Sequence, residues 1–148
     1  MVKSLISKSP AQTKKLGKVL ARDFLKKKSK KARVLALIGE LGGGKTTFLQ
    51  GLAEGLGAKS RILSPTFVIM RRSKIRNSRF RDFYHIDCYR IRGTKEILSL
   101  GFKKIISNPR NIVAIEWADN IKKALPRGLM TLKLDFIDEK TRKITLIK

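Results

Sequence analysis

Three patterns in the 148-residue sequence predict a single α/β domain. Residues 34–38 read VLALI, a short continuous apolar run that is typical of a strand buried on both faces of a sheet. This run leads directly into GELGGGKT at residues 39–46, which fits the phosphate-binding pattern G-x-x-x-x-G-K-[S/T]. Phe48, Leu52 and Leu56 then recur every four residues, as on one face of a helix. We therefore expect one P-loop NTPase-like domain over residues 1–148, with a mostly parallel or mixed central sheet flanked by helices and β-hairpins.

The first elements come before the glycine-rich loop. Residues 2–6 are expected to form a short edge strand. Ser9, Pro10 and Gln12 supply a capping serine, a proline at the first helical position and a glutamine three residues past the cap, so a helix should begin here. Its apolar stripe comprises Leu16, Val19, Leu20 and Phe24. The lysine-rich residues 26–31 are expected to end this helix.

The middle of the chain predicts a basic β-hairpin. The helix that follows the glycine-rich loop should end near Gly57, and residues 62–67 should begin an extended segment, because a proline there disfavours helix at the preceding residue. Residues 67–74 and 79–86 are expected to form two strands joined by a turn. Arginines and lysines would make the exposed side of this hairpin strongly positive.

The last third of the chain predicts short helices between further strands. Residues 94–100 and 102–106 are expected to be helical. Residues 112–116, IVAIE, form a second apolar run ending in a carboxylate, which indicates another central strand. A helix is expected at residues 119–125, and the alternation of apolar and polar residues over 130–146 predicts a closing hairpin.

The composition is strongly basic. There are 35 Lys and Arg against 11 Asp and Glu, a formal net charge of +24, which predicts affinity for polyanions. Residues 26–31 and 71–81 are the densest basic segments, but basic residues occur along much of the chain, so a solvated basic surface fits equally well. No apolar run approaches the roughly 20 residues that span a bilayer. The single Cys88 excludes an internal disulfide, and we expect a cytoplasmic protein without membrane contact.

The glycine-rich loop predicts a site for a nucleoside triphosphate with Mg²⁺. Backbone N–H groups of such a loop point at phosphate oxygens, and the N-terminus of the following helix adds partial positive charge. Lys45 is expected to reach the β- and γ-phosphates, and the Thr46 hydroxyl to hold Mg²⁺. The residues expected to contact the nucleotide are Glu40, Leu41, Gly42, Gly43, Gly44, Lys45, Thr46 and Thr47.

Hydrolysis of the nucleotide also requires an acid beside the loop. Asp87 and Glu116 each follow an apolar-rich strand, which places them at the edge of the sheet where α/β proteins bind ligands. We expect Glu116 at the metal, directly or through water, and Asp87 on the metal shell or the attacking water, although the two roles could be exchanged. Thr66 is a candidate sensor of the γ-phosphate or Mg²⁺. His85 and Trp117 are interpreted as structural by default.

Four motifs occur in one order along nearly the whole chain. They are GELGGGKTTF at 39–48, SPTF at 64–67, HIDCYR at 85–90 and IEWAD at 115–119. Together they resemble the TsaE family, small bacterial P-loop ATPases. The resemblance implies action with TsaD and TsaB in making N6-threonylcarbamoyladenosine on tRNA. It further implies ATP and Mg²⁺ as cofactors, slow turnover of the isolated protein, and tRNA reached either indirectly or through the basic surface.

The resemblance also implies site residues. It places the same side chains at phosphate, Mg²⁺ or the hydrolysis step: Lys45, Thr46, Thr66, Asp87 and Glu116. It adds Trp117 beside the nucleotide. In this family, ATP hydrolysis supports repeated turnover rather than the carbamoyl transfer itself.

Two other functions share some of these features. A small-molecule or nucleoside kinase uses the same phosphate loop, and the arginines of residues 71–81 could imitate its lid. A basic nucleic-acid-binding module with a vestigial nucleotide site is the other alternative. A GTPase is disfavoured because Thr94, Lys95 and Glu96 are followed by Ile97, where guanine recognition would require an aspartate.

Overall fold

The computed structural model describes residues 2–40, 44–58 and 69–148. Its strands are β1 (Val2–Ser7), β2 (Arg33–Ile38), β3 (Met70–Lys74), β4 (Asp82–Asp87), β5 (Asn111–Glu116), β6 (Met130–Phe136) and β7 (Arg142–Ile147). Its helices are α1 (Pro10–Leu25), α2 (Lys45–Leu56), α3 (Thr94–Leu98) and α4 (Phe102–Ser107), with a 3₁₀ helix at Ala118–Ala124. The predicted extended segment at residues 62–67 lies outside the described residues. No helix in the described part of the chain is long and apolar enough to cross a membrane.

One mixed sheet organises the chain, in the strand order β1-β7-β6-β2-β5-β4-β3. Strand β2 pairs in parallel with β5 and β6, and β5 pairs in parallel with β4. Strands β3, β7 and β1 add antiparallel pairs at the two flanks. The predicted mixed sheet with hairpins, and the edge position of β1, are therefore confirmed. The strands β2, β4, β5 and β6 all end at the same edge of the sheet, which we call the carboxyl edge. They all begin at the opposite edge, which we call the amino edge.

Both faces of the sheet are covered, as the apolar runs predicted. Leu35 and Leu37 of β2 belong to a buried cluster shared with α1 and α2, whereas Val34 and Ala36 belong to a second cluster shared with α3, α4 and the 3₁₀ helix. All six residues of β5 are buried. The uninterrupted apolar runs follow from this two-sided burial, since neither face of the central strands meets water.

Helix α1 begins at the predicted capping sequence. The Ser9 hydroxyl accepts a hydrogen bond from the Gln12 backbone N–H at 3.1 Å, and the Gln12 side chain accepts one from the Lys8 N–H at 2.8 Å. These contacts satisfy backbone donors that the first turn leaves unpaired. Val19, expected on the buried stripe, is instead 44% exposed. It borders a groove of about 500 Å³ between α1 and β1, so the sheet does not cover it.

Helices α1 and α2 pack closely because of a glycine. A Cβ built at Gly51 would lie only 1.9 Å from the backbone oxygen of Lys14. Any other residue at this position would push the helices apart. Above the contact, Glu54 forms ion pairs with Lys14 at 2.8 Å and with Lys18 at 3.1 Å.

One predicted boundary was wrong, and one predicted helix has a different type. The second hairpin strand was expected from residue 79 but begins at Asp82, because the Asn77 side chain accepts hydrogen bonds from the N–H groups of Arg79 and Phe80 and holds them in a turn. The helix expected at 119–125 is a 3₁₀ helix with a kink at Ile121. Residues 67 and 68, which were predicted to begin the first hairpin strand, lie outside the described residues.

Candidate functional site

The turn from β2 into α2 requires glycine at both of its described ends. Gly39 has φ +147°, and a Cβ there would lie 2.3 Å from the Leu134 backbone oxygen. Gly44, directly before α2, has φ +91°. Both values lie in the region that L side chains rarely adopt. The predicted strand and helix are thus present in that order, with a glycine at each described end of the turn, and residues 41–43 lie outside the described part of the chain.

Lys45 is the first residue of α2 and is buried. Its Nζ donates hydrogen bonds to the backbone oxygens of Gly39 and Glu40, the second at 3.0 Å. The same ammonium lies 4.7 Å from the centre of the Trp117 ring. The lysine therefore folds back over the entrance to α2, with an aromatic face on one side.

The electrostatic environment of Lys45 is mixed. Burial lowers its pKa, and the negative charges of Glu116, Asp87 and Asp119 act against that shift. Three carboxylates from different segments are therefore close enough to act on one ammonium group. Asp119 was predicted to begin a helix and ends the motif IEWAD, but no role at the site was assigned to it from the sequence.

The two predicted acids lie side by side at the carboxyl edge. Asp87 and Glu116 are the last residues of β4 and β5, and the parallel register pairs them with each other. Side chains paired in this way project from the same face of a sheet. That face is the one covered by α2, because Glu116 is also paired with Leu37 of the cluster beneath α1 and α2.

His85 contacts the site directly, although it was interpreted as structural. Its Nε2 lies 2.7 Å from Oε2 of Glu116, and both side chains are buried. His85 and Asp87 are two residues apart on β4 and so share a face. That spacing was visible in the sequence, but only the pairing of β4 with β5 brings the imidazole to Glu116.

Asp87 has a different environment from Glu116. It is half-buried, and its Oδ1 accepts a hydrogen bond from the Tyr89 N–H at 2.9 Å. Burial raises the pKa of Asp87, and repulsion from Glu116 adds to the rise, while the Tyr89 hydrogen bond, His85 and Lys45 oppose it. The two carboxylates are therefore not equivalent.

Backbone contacts connect the segments that follow the two acids. The Cys88 N–H donates a hydrogen bond to the backbone carbonyl oxygen of Glu116 at 3.0 Å, and the Asn120 side chain donates one to the backbone carbonyl oxygen of Cys88 at 2.8 Å. Trp117 has φ +54°, the one positive value at a non-glycine residue in the described ranges, and its ring centre lies 5.0 Å from that of Tyr89. A positive φ at tryptophan costs about 1 kcal/mol or more. The surrounding contacts hold the indole beside Lys45 despite this cost.

The first turn of α2 and a residue of β7 complete the surroundings of the loop. Thr46 and Thr47 are half-buried. A Cβ built on Gly44 would lie 3.6 Å from Cγ and from Nε of Arg142, so this side chain adjoins the loop. The Arg142 guanidinium lies 4.6 Å from the centre of the Phe136 ring. The sequence did not single out Arg142, since its position depends on the pairing of β6 with β7.

The donor set suits Mg²⁺ held jointly by protein and phosphate. Among residues 2–40, 44–58 and 69–148, no three His, Cys, Asp or Glu side chains form a metal-binding group by themselves. Mg²⁺ is usually held by one or two carboxylates together with substrate phosphates and water. A hydroxyl from Thr46 and the carboxylates of Asp87 and Glu116 fit that pattern.

The two remaining residues are Cys88 and Thr66. Burial raises the pKa of the Cys88 thiol to about 12, so it stays protonated at neutral pH and is a poor nucleophile and metal ligand. Thr66, the predicted phosphate sensor, lies outside the described residues.

The fold and the site define a class of protein: an α/β domain whose glycine-rich strand-to-helix turn faces two carboxylates at the carboxyl edge of a mixed sheet. The family is shown by comparison with known sequences. Residues 7–144 match the family model described as threonylcarbamoyl adenosine biosynthesis protein TsaE. The chain therefore belongs to the TsaE family.

Individual relatives agree over most of their length. Proteins named tRNA threonylcarbamoyladenosine biosynthesis protein TsaE include one from Rickettsia felis, 34% identical over 97% of this chain and 78% of the relative. Another, from Bacillus subtilis, is 34% identical over 93% of this chain and 80% of the relative. The crystal structure of Bacillus subtilis YdiB is similar, with a TM-score of 0.72 and 32% identity, covering 99% of this chain and 86% of that one.

Family membership decides between the TsaE and kinase interpretations of the sequence. The relatives carry the name of a tRNA-modification protein, which supports the TsaE interpretation and not the kinase alternative. The roles of Lys45, Thr46, Asp87 and Glu116 at nucleotide and metal stay predictions.

Proposed function

We propose that this protein is a Mg²⁺-dependent ATPase subunit that supports the formation of N6-threonylcarbamoyladenosine on tRNA, together with homologues of TsaD and TsaB. One observation carries the ATPase part of the proposal. The ammonium of Lys45, at the beginning of α2, lies within the electrostatic reach of Asp87 and Glu116, which end two adjacent parallel strands. The site thus combines a cation that would bind phosphate with two carboxylates that would bind the metal ion or the attacking water.

Phosphate would bind at the N-terminus of α2. Backbone N–H groups there lack intrahelical partners and point along the helix axis, so they attract anions. Lys45 already donates to two neutral carbonyl oxygens at this place. Phosphate oxygens are stronger acceptors because they are charged. We therefore expect Lys45 to exchange one or both carbonyl contacts for the β- and γ-phosphates of ATP.

The metal would be held between the helix and the strand ends. The Thr46 hydroxyl and the Glu116 carboxylate, directly or through water, would hold Mg²⁺, which when bound neutralises negative charge on the phosphates. The hydrogen bond between His85 and Oε2 of Glu116 fixes the orientation of this carboxylate. A fixed ligand suits Mg²⁺, because the ion tolerates little distortion of its geometry.

Asp87 would act on the attacking water. The pKa of Asp87 is raised by burial, which makes its carboxylate a better proton acceptor than an exposed aspartate. It is also less buried than Glu116, so water reaches it more easily. We assign Glu116 to the metal and Asp87 to the water, with Trp117 forming a wall beside the phosphates.

The biological setting follows from the family. Its relatives are named for threonylcarbamoyladenosine biosynthesis on tRNA. TsaD and TsaB homologues would be its partners, and the cytoplasm, where tRNA and ATP meet, its location. ATP hydrolysis would permit repeated turnover of the assembly.

Calorimetry and hydrolysis assays on two variants test the site. Lys45→Ala should weaken Mg-ATP binding about 100-fold, since a charge-assisted contact to phosphate contributes about 1.5–3 kcal/mol. Glu116→Gln should keep most of the ATP affinity but lower hydrolysis about 100-fold. Lys103→Ala, an exposed lysine of α4, is the matched control. Unchanged hydrolysis in both site variants would refute the assignment.

A reconstituted reaction tests the biological role. Purified protein with TsaD and TsaB homologues, tRNA and ATP should give many rounds of threonylcarbamoyladenosine formation per assembly. Omitting this protein, or supplying Lys45→Ala, should limit synthesis to about one round. Equal multi-round synthesis with and without the protein would overturn the proposed role while leaving the nucleotide site untouched.

A further inference from the structure

The lysine-rich loop and the turn of the basic hairpin meet at the amino edge of the sheet. Residues 26–31 lie between α1 and β2, and residues 75–81 connect β3 to β4, so both reach the edge where these parallel strands begin. The Arg79 guanidinium donates hydrogen bonds to the backbone oxygens of Leu25 and Lys26. Two segments whose contacting residues lie 53 and 54 positions apart in the sequence therefore touch and form one basic surface.

A second arginine contacts both segments. Arg33 lies between two buried rings, 5.7 Å from the centre of Phe24 and 5.9 Å from that of Phe80, and donates to the Lys27 oxygen at 2.9 Å. Phe24 belongs to α1 and Phe80 to the hairpin turn. Because the same guanidinium packs on both, the loop of residues 26–31 and the hairpin turn are held in fixed relation.

Two further basic residues extend the surface across the sheet. The Arg81 N–H donates to the Arg110 oxygen at 2.7 Å, which places the residue before β5 beside the hairpin turn. Arg127, before β6, and Lys31 line the same cavity of about 130 Å³. We define the amino-edge basic surface as the exposed lysines and arginines of residues 26–31 and 74–81, with Arg110 and Arg127.

Acidic residues are distributed in the opposite way. The acids beside the carboxyl edge are Glu40, Asp87, Glu116, Asp119, Asp135, Asp138 and Glu139. The described acids at the amino edge, Asp23 and Asp82, are each in an ion pair, with Lys26 at 3.6 Å and with Arg72 at 3.2 Å. At the amino edge, 11 exposed lysines and arginines therefore outnumber two paired acids, which gives this edge a strongly positive charge.

We propose that the amino-edge basic surface binds the phosphate backbone of double-helical RNA, so that the protein itself contacts the tRNA of the modification reaction. The choice of tRNA rests on the proposed function. Parallel strands lie about 4.8 Å apart, so the beginnings of β6, β2, β5 and β4 span about 15 Å. That width allows several phosphates to be contacted at once.

The side-chain types favour a duplex over a protein or a single strand. Lysine is depleted at the centres of protein interfaces, whereas lysine and arginine are the usual phosphate ligands. Single strands are bound by stacking bases on exposed aromatic rings. Among the described residues, the exposed aromatic side chains, Tyr89 and Phe136, lie at the carboxyl edge. The surface thus provides charge without a stacking platform, which suits the backbone of an A-form helix.

Fluorescence anisotropy of a labelled tRNA transcript tests the surface. The variant reverses four exposed side chains: Lys30→Glu, Arg76→Glu, Arg110→Glu and Arg127→Glu. Each lost phosphate contact should lower the salt dependence of log K by about 0.7–0.9 per unit of log salt. We expect about 100-fold weaker binding in this variant and a salt slope smaller by about 3.

A matched variant separates a local surface from net charge. Lys3, Lys8, Lys15 and Lys143 are exposed lysines outside this surface, and reversing all four to Glu gives the same change in charge. We expect this control to weaken tRNA binding about threefold at most. Equal losses in the two variants would overturn the proposal, because binding would then follow total charge. Stronger binding to single-stranded RNA or polyglutamate than to duplex RNA would also overturn it.

Failure of the RNA proposal is distinguishable from failure of the ATPase proposal. Lys45→Ala should bind tRNA like the unmodified protein, and the amino-edge variant should bind Mg-ATP like the unmodified protein. Loss of Mg-ATP binding in the amino-edge variant would show that it is misfolded, and Arg110→Gln with Arg127→Gln then supplies a milder test with the same expected direction. A protein that hydrolyses ATP but binds tRNA equally in all variants refutes only the RNA proposal.

Discussion

The two edges of one sheet show two ways of carrying charge. At the carboxyl edge, Lys45 and Glu116 are buried, and each has a close partner from another segment. At the amino edge, Lys30 and Arg76 are exposed. Burying a charge without a partner costs several kcal/mol, whereas an exposed charge keeps its hydration. Buried charges therefore have positions fixed by their partners. Exposed charges have no fixed positions, and they determine only the charge density of the surface.

This difference suits the two proposed ligands. Phosphoryl transfer requires groups placed to within a fraction of an ångström, so partners such as His85 that orient a carboxylate are useful. Contact with a nucleic-acid backbone depends on the number of neutralised phosphates and tolerates mobile side chains. The same sheet therefore supports a fixed site and a surface of distributed charge.

The largest effect is expected for the buried pair. His85→Ala removes the partner of Glu116 and should lower the free energy of unfolding by about 2–4 kcal/mol in urea titrations at neutral pH. His85→Gln keeps a donor near the same position and should lose about half as much. Equal losses in the two variants would show that packing of the imidazole, rather than its hydrogen bond, carries the effect.

An intermediate effect is expected for the contact that joins the basic segments. Arg79→Ala removes a cation and its hydrogen bonds from the C-terminal end of α1, and should lower stability by about 1 kcal/mol. Arg76→Ala, an exposed arginine of the same turn, is the control and should change stability by less than about 0.5 kcal/mol. If thermal unfolding shows no difference between them, the basic loop and the hairpin are not held together by Arg79.

The smallest effect, of opposite sign, is expected at Asp87. The raised pKa of Asp87 means that folding disfavours its charged form, so the residue costs stability once the pH rises above the range in which unfolded Asp titrates, about 3.9. Asp87→Asn should therefore stabilise the nucleotide-free protein by up to about 1 kcal/mol at pH 7. The gain should shrink towards zero near pH 3. A destabilised Asp87→Asn protein at pH 7 would contradict this reasoning.

Elements with strong periodic or capping signals were predicted well. The Ser9 cap, the buried strand at residues 34–38 and the closing hairpin all formed where local patterns placed them. Each signal depends on residues close in sequence, such as a hydroxyl facing the N–H three positions later. The turn around Asn77 was predicted, but the late beginning of β4 and the kink at Ile121 were missed, because both depend on specific backbone geometry that hydrophobic periodicity does not record.

The sequence by itself determined the class of fold, the place of the glycine-rich turn and the acids that end β4 and β5. Short-range periodicity and composition encode all of these features. Only the tertiary structure decided that His85 reaches Glu116, that Arg142 adjoins Gly44, and that Arg79 joins the basic loop to the hairpin. Each of these contacts joins segments far apart in the chain, and their distances depend on strand order and register. Those are set by burying both faces of the whole sheet at once, which no local pattern encodes.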